Sequence, residues 1–463
     1  MNQVEITTID VPNIPSYATE AVRILREAGY EAWLVGGCVR DILLKREPHD
    51  YDVVTSARPD QIQALFPHNV PVGKAFGIVT VVAPDTGENI DVATFRAESD
   101  YRDGRHPSSV DFAANAMADV LRRDFTINAL LLDPATGQLA DYTGGLADFR
   151  ARRLRAIGDP ARRFAEDHLR LLRATRFASV LGFDIDPDTF AALRAAAPTI
   201  TRISPERIRD ELFKTFQLAP RAGAALDLLQ SSGLLACLLP EIEAMRGVQQ
   251  PPEFHPEGDV YVHTRNMLDL LPPPGPARSM TLALAVLLHD VGKPPTAAYL
   301  PRPDGTSRWT FQSHATVGAD MARAILLRLK APTAFIDAVV ALVGEHMRVA
   351  TAPQMRRSKL RRLLADPLFD DTLALHRLDC LCSHADLSVY DFLLAQRAAY
   401  QSEPAMPPPL IRGRDLIALG HRPGPALGAL LRRLYDIQLE EDITSPELLL
   451  ARLPSLAPQN PLS

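Results

Sequence analysis

The chain has 463 residues, 46% hydrophobic and 23% charged, so it can bury several cores in roughly two to four domains. A formal net charge of −6 argues against a protein coated in positive charge for bulk nucleic-acid binding. Every apolar run is interrupted by a charge, and neither the N-terminal stretch nor the four scattered cysteines indicate export. We therefore expect a cytoplasmic enzyme with no membrane partner.

Strand signals are concentrated between residues 30 and 145. Short segments rich in Val, Ile, Thr and aromatic residues (AWLVGG, YDVVTS, GIVTVVAP and NIDVATF) alternate there with amphipathic helical stretches. After about residue 160, Leu, Ala and Arg recur at helical spacing, and proline clusters near residues 251 and 407 are candidate boundaries. The pattern predicts an α+β head of about 150 residues followed by an all-helical body.

A glycine pair follows the first of these strand signals. Residues 34–41 run from a predicted strand through Gly36 and Gly37 into a predicted helix. Glycines let the backbone approach a phosphate, and a helix N-terminus adds N–H donors. Arg40, in the first turn of that helix, offers further donors to the same triphosphate.

Acidic residues on two predicted strands suggest a metal site. Asp50 and Asp52 are two residues apart, so on a strand their carboxylates would project from one face. Carboxylate pairs of this kind suit Mg²⁺, although a solvent-exposed acidic strand end would have the same spacing. Asp91 lies on a separate predicted strand and would complete the carboxylate set that two-metal phosphoryl transfer requires.

Several motifs in order resemble the class II tRNA nucleotidyltransferase and bacterial poly(A) polymerase family. They are GGCVRD, DYD, DVATFR, RRDFTINA, DYTGG and EDHLRLLRATRF, between residue 33 and about residue 216. The resemblance implies a polymerase-β-like head in which Asp50 and Asp52 bind Mg²⁺ beside Asp91. It also implies that Gly36, Gly37 and Arg40 meet the triphosphate, and that Arg123 and Asp124 meet the ribose.

The base-selecting residues are expected in the last of these motifs. Asp167 and Arg170 are three apart on a predicted helix, Arg173 continues the same face, and the resemblance adds Arg176. Cytosine and adenine both present an exocyclic amine beside a ring-nitrogen acceptor, whereas uracil and guanine present the reverse order. A carboxylate–guanidinium pair would therefore accept C and A, because U and G leave polar groups unpaired. A plain surface ion pair would have the same spacing.

A second group of candidate residues lies in the helical body. The order His263, His289-Asp290 and Asp379 resembles the HD phosphohydrolase superfamily, and His314 and His346 resemble its two-metal version. Mixed nitrogen and oxygen ligands favour a transition metal such as Mn²⁺, Ni²⁺ or Co²⁺. A lone buried histidine is more often a core residue than a ligand. The ordered set argues against that for the first four residues and leaves it open for His314 and His346.

Two basic tracks remain, with nine arginines between residues 150 and 176 and five basic residues between 356 and 362. Each is either a solvated helix face or a contact to RNA phosphates. The polar segment 97–114 is expected to form a loop that moves between additions.

The combined resemblance implies addition of C and A from CTP and ATP to the 3′ end of tRNA, with release of pyrophosphate. A poly(A) polymerase, or an enzyme adding only CC or only A, would share these motifs. A hydrolase with a decayed head is disfavoured by the intact Asp50, Asp52 and Asp91. The expected segments are a nucleotidyltransferase head (1–155), a base-reading and RNA-binding neck (156–225), an HD-type body (226–400) and a helical tail (401–463).

Overall fold

The computed structural model describes the chain except for residues 1–3, 12–13, 71–76, 97–111, 114, 277, 401–404 and 454–463. The chain forms two compact units, Met1–Glu243 and Ala244–Ser463. The predicted loop at 97–114 lies outside the described residues, apart from Phe112 and Ala113. The expected limits at residues 155, 225 and 400 stay a prediction.

An eight-stranded sheet organises the first unit, in the order β1-β8-β7-β2-β3-β6-β5-β4. Its neighbours pair antiparallel, except that β3 and β6 are parallel. The strands are β1 (Glu5–Thr8), β2 (Ala32–Val35), β3 (Asp52–Thr55), β4 (Asn69–Val70), β5 (Ile78–Val82), β6 (Asn89–Thr94), β7 (Leu131–Leu132) and β8 (Gln138–Asp141). The four strands expected from the sequence are confirmed as β2, β3, β5 and β6.

Successive side chains of the central strands enter two different cores. Leu34 and Val53 pack on one face of the sheet, and Val35 and Val54 pack on the other. Strands covered on both faces read as continuous apolar runs, which is why their sequence signals are strong. The accompanying helices are α1 (Ser16–Glu27), α2 (Gly37–Leu43), α3 (Pro59–Leu65), α4 (Ala116–Leu121) and α5 (Gly145–Arg150), with a 3-10 helix at Thr126–Asn128.

The rest of the first unit is helical, apart from the short parallel pair β9 (Arg153–Leu154) and β10 (Asp184–Ile185). Four of its helices begin with proline at the first helical position, where the missing N–H is not needed. The helices are α6 (Pro160–Glu166), α7 (Leu169–Leu181), α8 (Pro187–Ala196), α9 (Pro205–Leu218), α10 (Ala222–Ser231), α11 (Leu234–Leu238) and α12 (Pro240–Glu243), with a 3-10 helix at Ala197–Arg202.

The second unit is built mainly from helices. They are α13 (Val260–Asp269), α14 (Met280–Leu288), α15 (Lys293–Thr296), α16 (His314–Arg328), α17 (Thr333–Glu345), α18 (Arg357–Leu364), α19 (Phe369–Cys382), α20 (Ser388–Ala399), α21 (Gly413–Ala418), α22 (Pro425–Glu441) and α23 (Pro446–Leu450), with a 3-10 helix at Val349–Gln354. In α14, every residue from 282 to 288 is buried, so this helix forms the centre of the unit. None of the helices that the structure describes has the length and apolar character needed to cross a membrane.

One antiparallel hairpin, β11 (Ala297–Pro301) and β12 (Ser307–Phe311), interrupts the body that was expected to be wholly helical. Pro294 and Pro295 lie in the first turn of the short helix that precedes the hairpin, where proline is tolerated. Gly305 then adopts a φ of 80° in the turn between the strands, a conformation that favours glycine.

Candidate functional site

The predicted head carboxylates gather at the start of β3. Asp52 is the first residue of that strand and pairs in register with Asp91 on the parallel strand β6. Paired residues on neighbouring strands project from the same face, so the two carboxylates are neighbours. Asp50 precedes the strand, so the prediction that Asp50 and Asp52 both lie on it is wrong. All three carboxylates are exposed.

The electrostatics of Asp52 reflect this crowding. Partial desolvation raises its pKa, the charges of Asp91 and Asp50 raise it further, and Arg123 opposes them. Asp91 accepts a hydrogen bond of 2.6 Å from Thr80 Oγ1. Among the described residues, no three head carboxylates bring ligand atoms within 4.8 Å of one another. The group therefore fits a cation held jointly with substrate oxygens better than a closed protein cage.

Gly36 makes the turn between β2 and α2 directly beside this acidic group. Its φ of 80° and ψ of −128° favour glycine, and an added Cβ would lie 3.6 Å from Asp52 Oδ2. Gly37 begins the helix that carries Arg40. The Arg40 guanidinium binds Asn128 Oδ1 at 3.2 Å and Asp41 Oδ1 at 3.1 Å, so it is held at the edge of the same turn.

Arg123 and Asp124 have different environments although they are adjacent. The Arg123 guanidinium binds the fully buried carboxylate of Asp119 at 2.9 Å. Asp124 is buried and receives the Arg173 guanidinium at 2.6 Å. Burial opposes ionisation of Asp124, but Arg173 and a hydrogen bond from Asn128 lower its pKa to about 2. Sequence reasoning missed Asp119, because nothing in its spacing sets it apart from a surface acid.

The expected helical face of Asp167 and Arg170 is wrong. Helix α6 ends at Glu166 and α7 begins at Leu169, and Asp167 lies between them with an extended backbone. Its carboxylate accepts the backbone N–H of Leu169 at 3.0 Å, a capping bond that competes with a continuous helix. Asp167 also pairs with Arg207 at 3.2 Å.

Arg170 and Arg176 are engaged with other carboxylates. Arg170 is buried and binds Glu166 at 2.7 Å, and Arg176 binds Glu211 at 2.6 Å. The spacing in EDHLR places Glu166 one helical turn before Arg170, whereas Glu211 is 35 residues from Arg176 and no local spacing indicates that pair. The arginines in the first basic track that bind carboxylates are Arg155, Arg162, Arg163, Arg170, Arg173 and Arg176. In the second track, Arg357 and Arg361 bind Asp442, and Arg362 binds Asp436. Much of each track therefore stabilises the fold.

The second predicted set of residues converges in the second unit, and we call it the HD centre: His263, His289, Asp290, His314, His346 and Asp379. His263 Nε2 lies 3.2 Å from Asp379 Oδ1, and His289 Nε2 lies 3.1 Å from Asp290 Oδ2. Asp290 Oδ1 faces His314 Nε2 at 3.6 Å and His346 Nε2 at 4.0 Å. Three groups here have ligand atoms within 4.8 Å of one another: His263, His289 and Asp379; Asp290, His314 and His346; and His255, Glu257 and His263.

Backbone carbonyls orient three of these rings. His289, His314 and His346 each place Nδ1 within 2.9 Å of the carbonyl oxygen three residues earlier. A carbonyl only accepts, so Nδ1 carries the proton and Nε2 is free to act as a ligand. The buried Nε2 atoms of His263 and His289 face the carboxylates of Asp379 and Asp290, but neither contact has the geometry of a hydrogen bond. The residues thus fit a divalent metal.

The rings at the HD centre differ in charge. Burial lowers the pKa of His263, but its interactions with Asp379 and Glu257 raise it to about 9, so a metal ion at Nε2 would displace a proton. Burial, with a contribution from His289, lowers the pKa of His346 to about 4, so its ring is neutral as a ligand must be. Burial opposes ionisation of Asp290, but His289 and Lys293 hold its pKa well below the ordinary range. Lys293 binds Asp290 Oδ2 at 2.7 Å and Gln250 Oε1 at 2.6 Å.

Glu257 is a functional residue that the sequence did not identify. Its Oε1 accepts hydrogen bonds from His263 Nδ1 at 2.6 Å and from His255 Nδ1 at 2.9 Å. Burial opposes ionisation of Glu257, but these bonds lower its pKa to about 2. Glu257 therefore fixes the orientation of the His263 ring, as backbone carbonyls fix the orientation of the other three rings. Its position six residues before a predicted ligand was the available signal.

Family models match the parts of the chain that carry these two sites. Residues 32–155 match the poly(A) polymerase head domain, residues 182–246 match a probable RNA- and SrmB-binding site of polymerase A, and residues 260–386 match the HD domain. The chain is 40% identical to the CCA-adding enzyme of Lactobacillus johnsonii over 250 residues, which are 53% of this chain and 61% of that protein. It is 44% identical to the CCA-adding enzyme of Bacillus licheniformis over 217 residues, 47% of this chain and 54% of that protein. The matches thus span little more than half of these relatives.

Solved structures extend the likeness over nearly the whole chain. The Bacillus stearothermophilus CCA-adding enzyme in complex with CTP superposes with a TM-score of 0.71 at 27% identity, covering 95% of this chain and 98% of that one. The Thermotoga maritima CCA-adding enzyme complexed with tRNA-CCA gives a TM-score of 0.60 at 20% identity, with 95% and 94% coverage. At that identity the second comparison supports the fold alone. The expected polymerase-β-like head and HD-type body are confirmed.

One prediction follows from the buried Asp124–Arg173 pair. Because the pKa of Asp124 is lower in the folded protein than its ordinary 3.8, the pair stabilises the fold above pH 4 and loses this contribution as the pH falls towards 2. The free energy of unfolding of wild type should exceed that of Asp124→Asn at pH 6, and the difference should narrow by roughly 1 kcal/mol at pH 3. Denaturant titrations at both pH values measure this, with the exposed Asp85→Asn as control. A difference that does not change with pH would contradict the ion pair.

Proposed function

Since this chain matches the poly(A) polymerase head and RNA-binding domains, we propose that it belongs to the tRNA nucleotidyltransferase and poly(A) polymerase family and adds C and A, from CTP and ATP, to the 3′ end of tRNA. The addition needs no nucleic-acid template and releases pyrophosphate. The observation that carries the proposal is the register of Asp52 against Asp91 beside the Gly36 turn, within the residues that match the head domain. We place the reaction in the cytoplasm.

Both matched catalytic domains imply dependence on a divalent metal. In the head, Asp50, Asp52 and Asp91 would hold Mg²⁺, which supplies activation of the 3′-hydroxyl and charge stabilisation for the leaving pyrophosphate. The all-oxygen donor set and its open arrangement support this choice of ion. The raised pKa of Asp52 supports it as well, because a cation would relieve the repulsion among the three carboxylates.

The nucleotide would lie along the turn after β2. Gly36 and Gly37 let the triphosphate approach the backbone, and Arg40 donates to its oxygens. Arg123 and Asp124 would contact the ribose. The partners of these side chains hold them in place before the nucleotide arrives, which lowers the entropy cost of binding.

Asp167 and Arg170 would read the base, with Arg173 and Arg176 beside them. Asp167 offers an acceptor to the exocyclic amine that cytosine and adenine share, and a guanidinium offers the donor to the neighbouring ring nitrogen. A bound base must compete with Arg207 for Asp167 and with Glu166 for Arg170.

The direct test of the activity is product length. Transcripts of tRNA ending at the discriminator base, at C and at CC are incubated with each labelled nucleotide and Mg²⁺. We expect C, C and A to be added in turn and synthesis then to stop. A long adenylate tail on unrelated RNA would instead identify a poly(A) polymerase, and products that stop at CC, or that require CC, would identify a partial enzyme.

Removing one head carboxylate should stop nucleotide addition. Asp52→Asn keeps the size of the side chain but removes the charge opposite Asp91, so we expect turnover to fall at least about 100-fold. Single-turnover addition to tRNA ending in CC measures the effect, and Asp85→Asn is the matched control on the same unit. Wild-type turnover in Asp52→Asn would refute the proposed metal site.

Base choice should depend on Asp167. In Asp167→Ala, selection against UTP and GTP should fall about tenfold or more, because the lost acceptor meets only the base. The ratios of kcat/KM for CTP over UTP and ATP over GTP report this, with the exposed Asp188→Ala as control. Equal weakening for all four nucleotides would contradict base reading by this carboxylate.

For the HD centre we propose a second activity, hydrolysis of phosphate esters. His263, His289, Asp290 and Asp379 would hold a transition metal such as Mn²⁺, Ni²⁺ or Co²⁺, with His314 and His346 near Asp290 for a second ion. The mixed donor set supports this proposal, as do the buried Nε2 atoms of His263 and His289, which face carboxylates without forming hydrogen bonds.

The two activities should separate by mutation. The double variant His289→Ala, Asp290→Ala should lose hydrolysis of a 2′,3′-cyclic phosphate and keep CCA addition within a few-fold, since the two sites share no ligand and lie in different units. Both reactions are assayed with each divalent ion, and the exposed His421→Ala is the control. No hydrolysis by wild type would leave the HD centre without a catalytic role, and loss of CCA addition would show that the sites are coupled.

A further inference from the structure

The HD centre opens into a cavity of about 490 Å³, and most of the residues that line this cavity are not candidate metal ligands. Asp290 and Lys293 lie at its buried end, together with the ring of His346. The walls come from hairpin β11–β12 and from the segment around Phe254. This volume is within the range of small-molecule sites.

One face of the hairpin carries aromatic side chains into this cavity. Trp309 and Phe311 are two residues apart on β12, so they project from the same face, and both line the cavity. The Phe311 ring lies 5.5 Å from Lys293 Nζ, which places that end of the face next to the HD centre. Trp309 is backed by Tyr299, its register partner on β11, with ring centroids 5.2 Å apart. The aromatic face therefore leads outward from the HD centre.

Phe254 and Arg308 add a further aromatic ring and a positive charge to the lining of this cavity. Phe254 lines the same cavity and is 47% exposed, although a phenylalanine gains stability from burial. Arg308, also exposed, lines the cavity and adds positive charge to its wall. Flat aromatic surfaces stack on nucleobases, and cations bind phosphate.

We propose that Trp309 and Phe254 bind the base of a nucleoside phosphate whose phosphate group reaches the HD centre. These two side chains would make the HD centre select phosphate esters that carry a base over those that carry none, whether the base belongs to a free nucleotide or to the end of an RNA. This inference rests on the proposed phosphohydrolase function for its catalytic consequence, but the base-binding step stands on the cavity itself.

A kinetic comparison tests the role of the base. Adenosine 2′,3′-cyclic phosphate is compared with glycerol 1,2-cyclic phosphate, which has the same reacting ring and no base. In Trp309→Leu, KM for the adenosine compound should rise about tenfold, while kcat and all constants for the glycerol compound stay within twofold. Leu300→Ala, an exposed change on the same hairpin outside the cavity lining, should behave like wild type. Equal effects on both substrates in Trp309→Leu would overturn the proposal.

Tryptophan fluorescence tests binding without any reaction. The chain has two tryptophans, so Trp33→Phe leaves Trp309 as the only source of tryptophan fluorescence. Titration with adenosine 2′,3′-cyclic phosphate, and separately with an oligoribonucleotide ending in that group, should give saturable quenching that glycerol 1,2-cyclic phosphate does not. Quenching by both, or by one of them, supports the inference and identifies the source of the nucleotide.

The experiments distinguish a failure of base binding from a failure of the proposed hydrolysis. Absence of quenching with either adenosine ligand overturns the inference, whatever the enzyme hydrolyses. Quenching without hydrolysis under any divalent ion supports base binding and refutes the second activity.

Discussion

Parallel pairing of β3 with β6 holds Asp52 against Asp91, and this register is the constraint on which the head depends. Val53 and Val92, the next pair along the two strands, are fully buried in the core on one face of the sheet. Val54 is buried in the core on the other face. A slip of either strand by one residue would exchange these faces, so the carboxylates cannot separate without exposing the core. The fold thus keeps like charges together at a cost that a cation would offset.

In the HD centre, the ends of helices rather than paired strands hold the side chains in place. His289 and His346 each follow the last residue of a helix, where carbonyl oxygens lack intrahelical partners and accept the Nδ1 proton. His263 instead lies inside α13 and depends on Glu257 for orientation. In both sites the side chains are arranged before any ligand binds, because groups required by the fold itself hold them.

Features that depend on residues close together in the sequence could be predicted from it, and features that depend on distant residues could not. The central strands and the carboxylates on them were predictable, since alternation and spacing are local properties. The pairing of Asp167 was not, because a capping bond to Leu169 and an ion pair with the distant Arg207 decide its position. Glu257 was overlooked for a similar reason, since only the folded chain shows that one oxygen serves two histidines. Hairpin β11–β12 was missed within a region whose overall pattern is helical, although Gly305 marks its turn.

In the head, the carboxylates of Asp50, Asp52 and Asp91 should repel one another until a divalent cation binds. Thermal unfolding of wild type and Asp52→Asn, each with EDTA and with saturating Mg²⁺, tests this claim most directly. Without the ion, the variant should be as stable as wild type or more stable, because one repelling charge is gone. With Mg²⁺, wild type should gain stability through ligand linkage and the variant should gain much less. A variant that is less stable than wild type in EDTA, or that gains as much from Mg²⁺, would contradict the account.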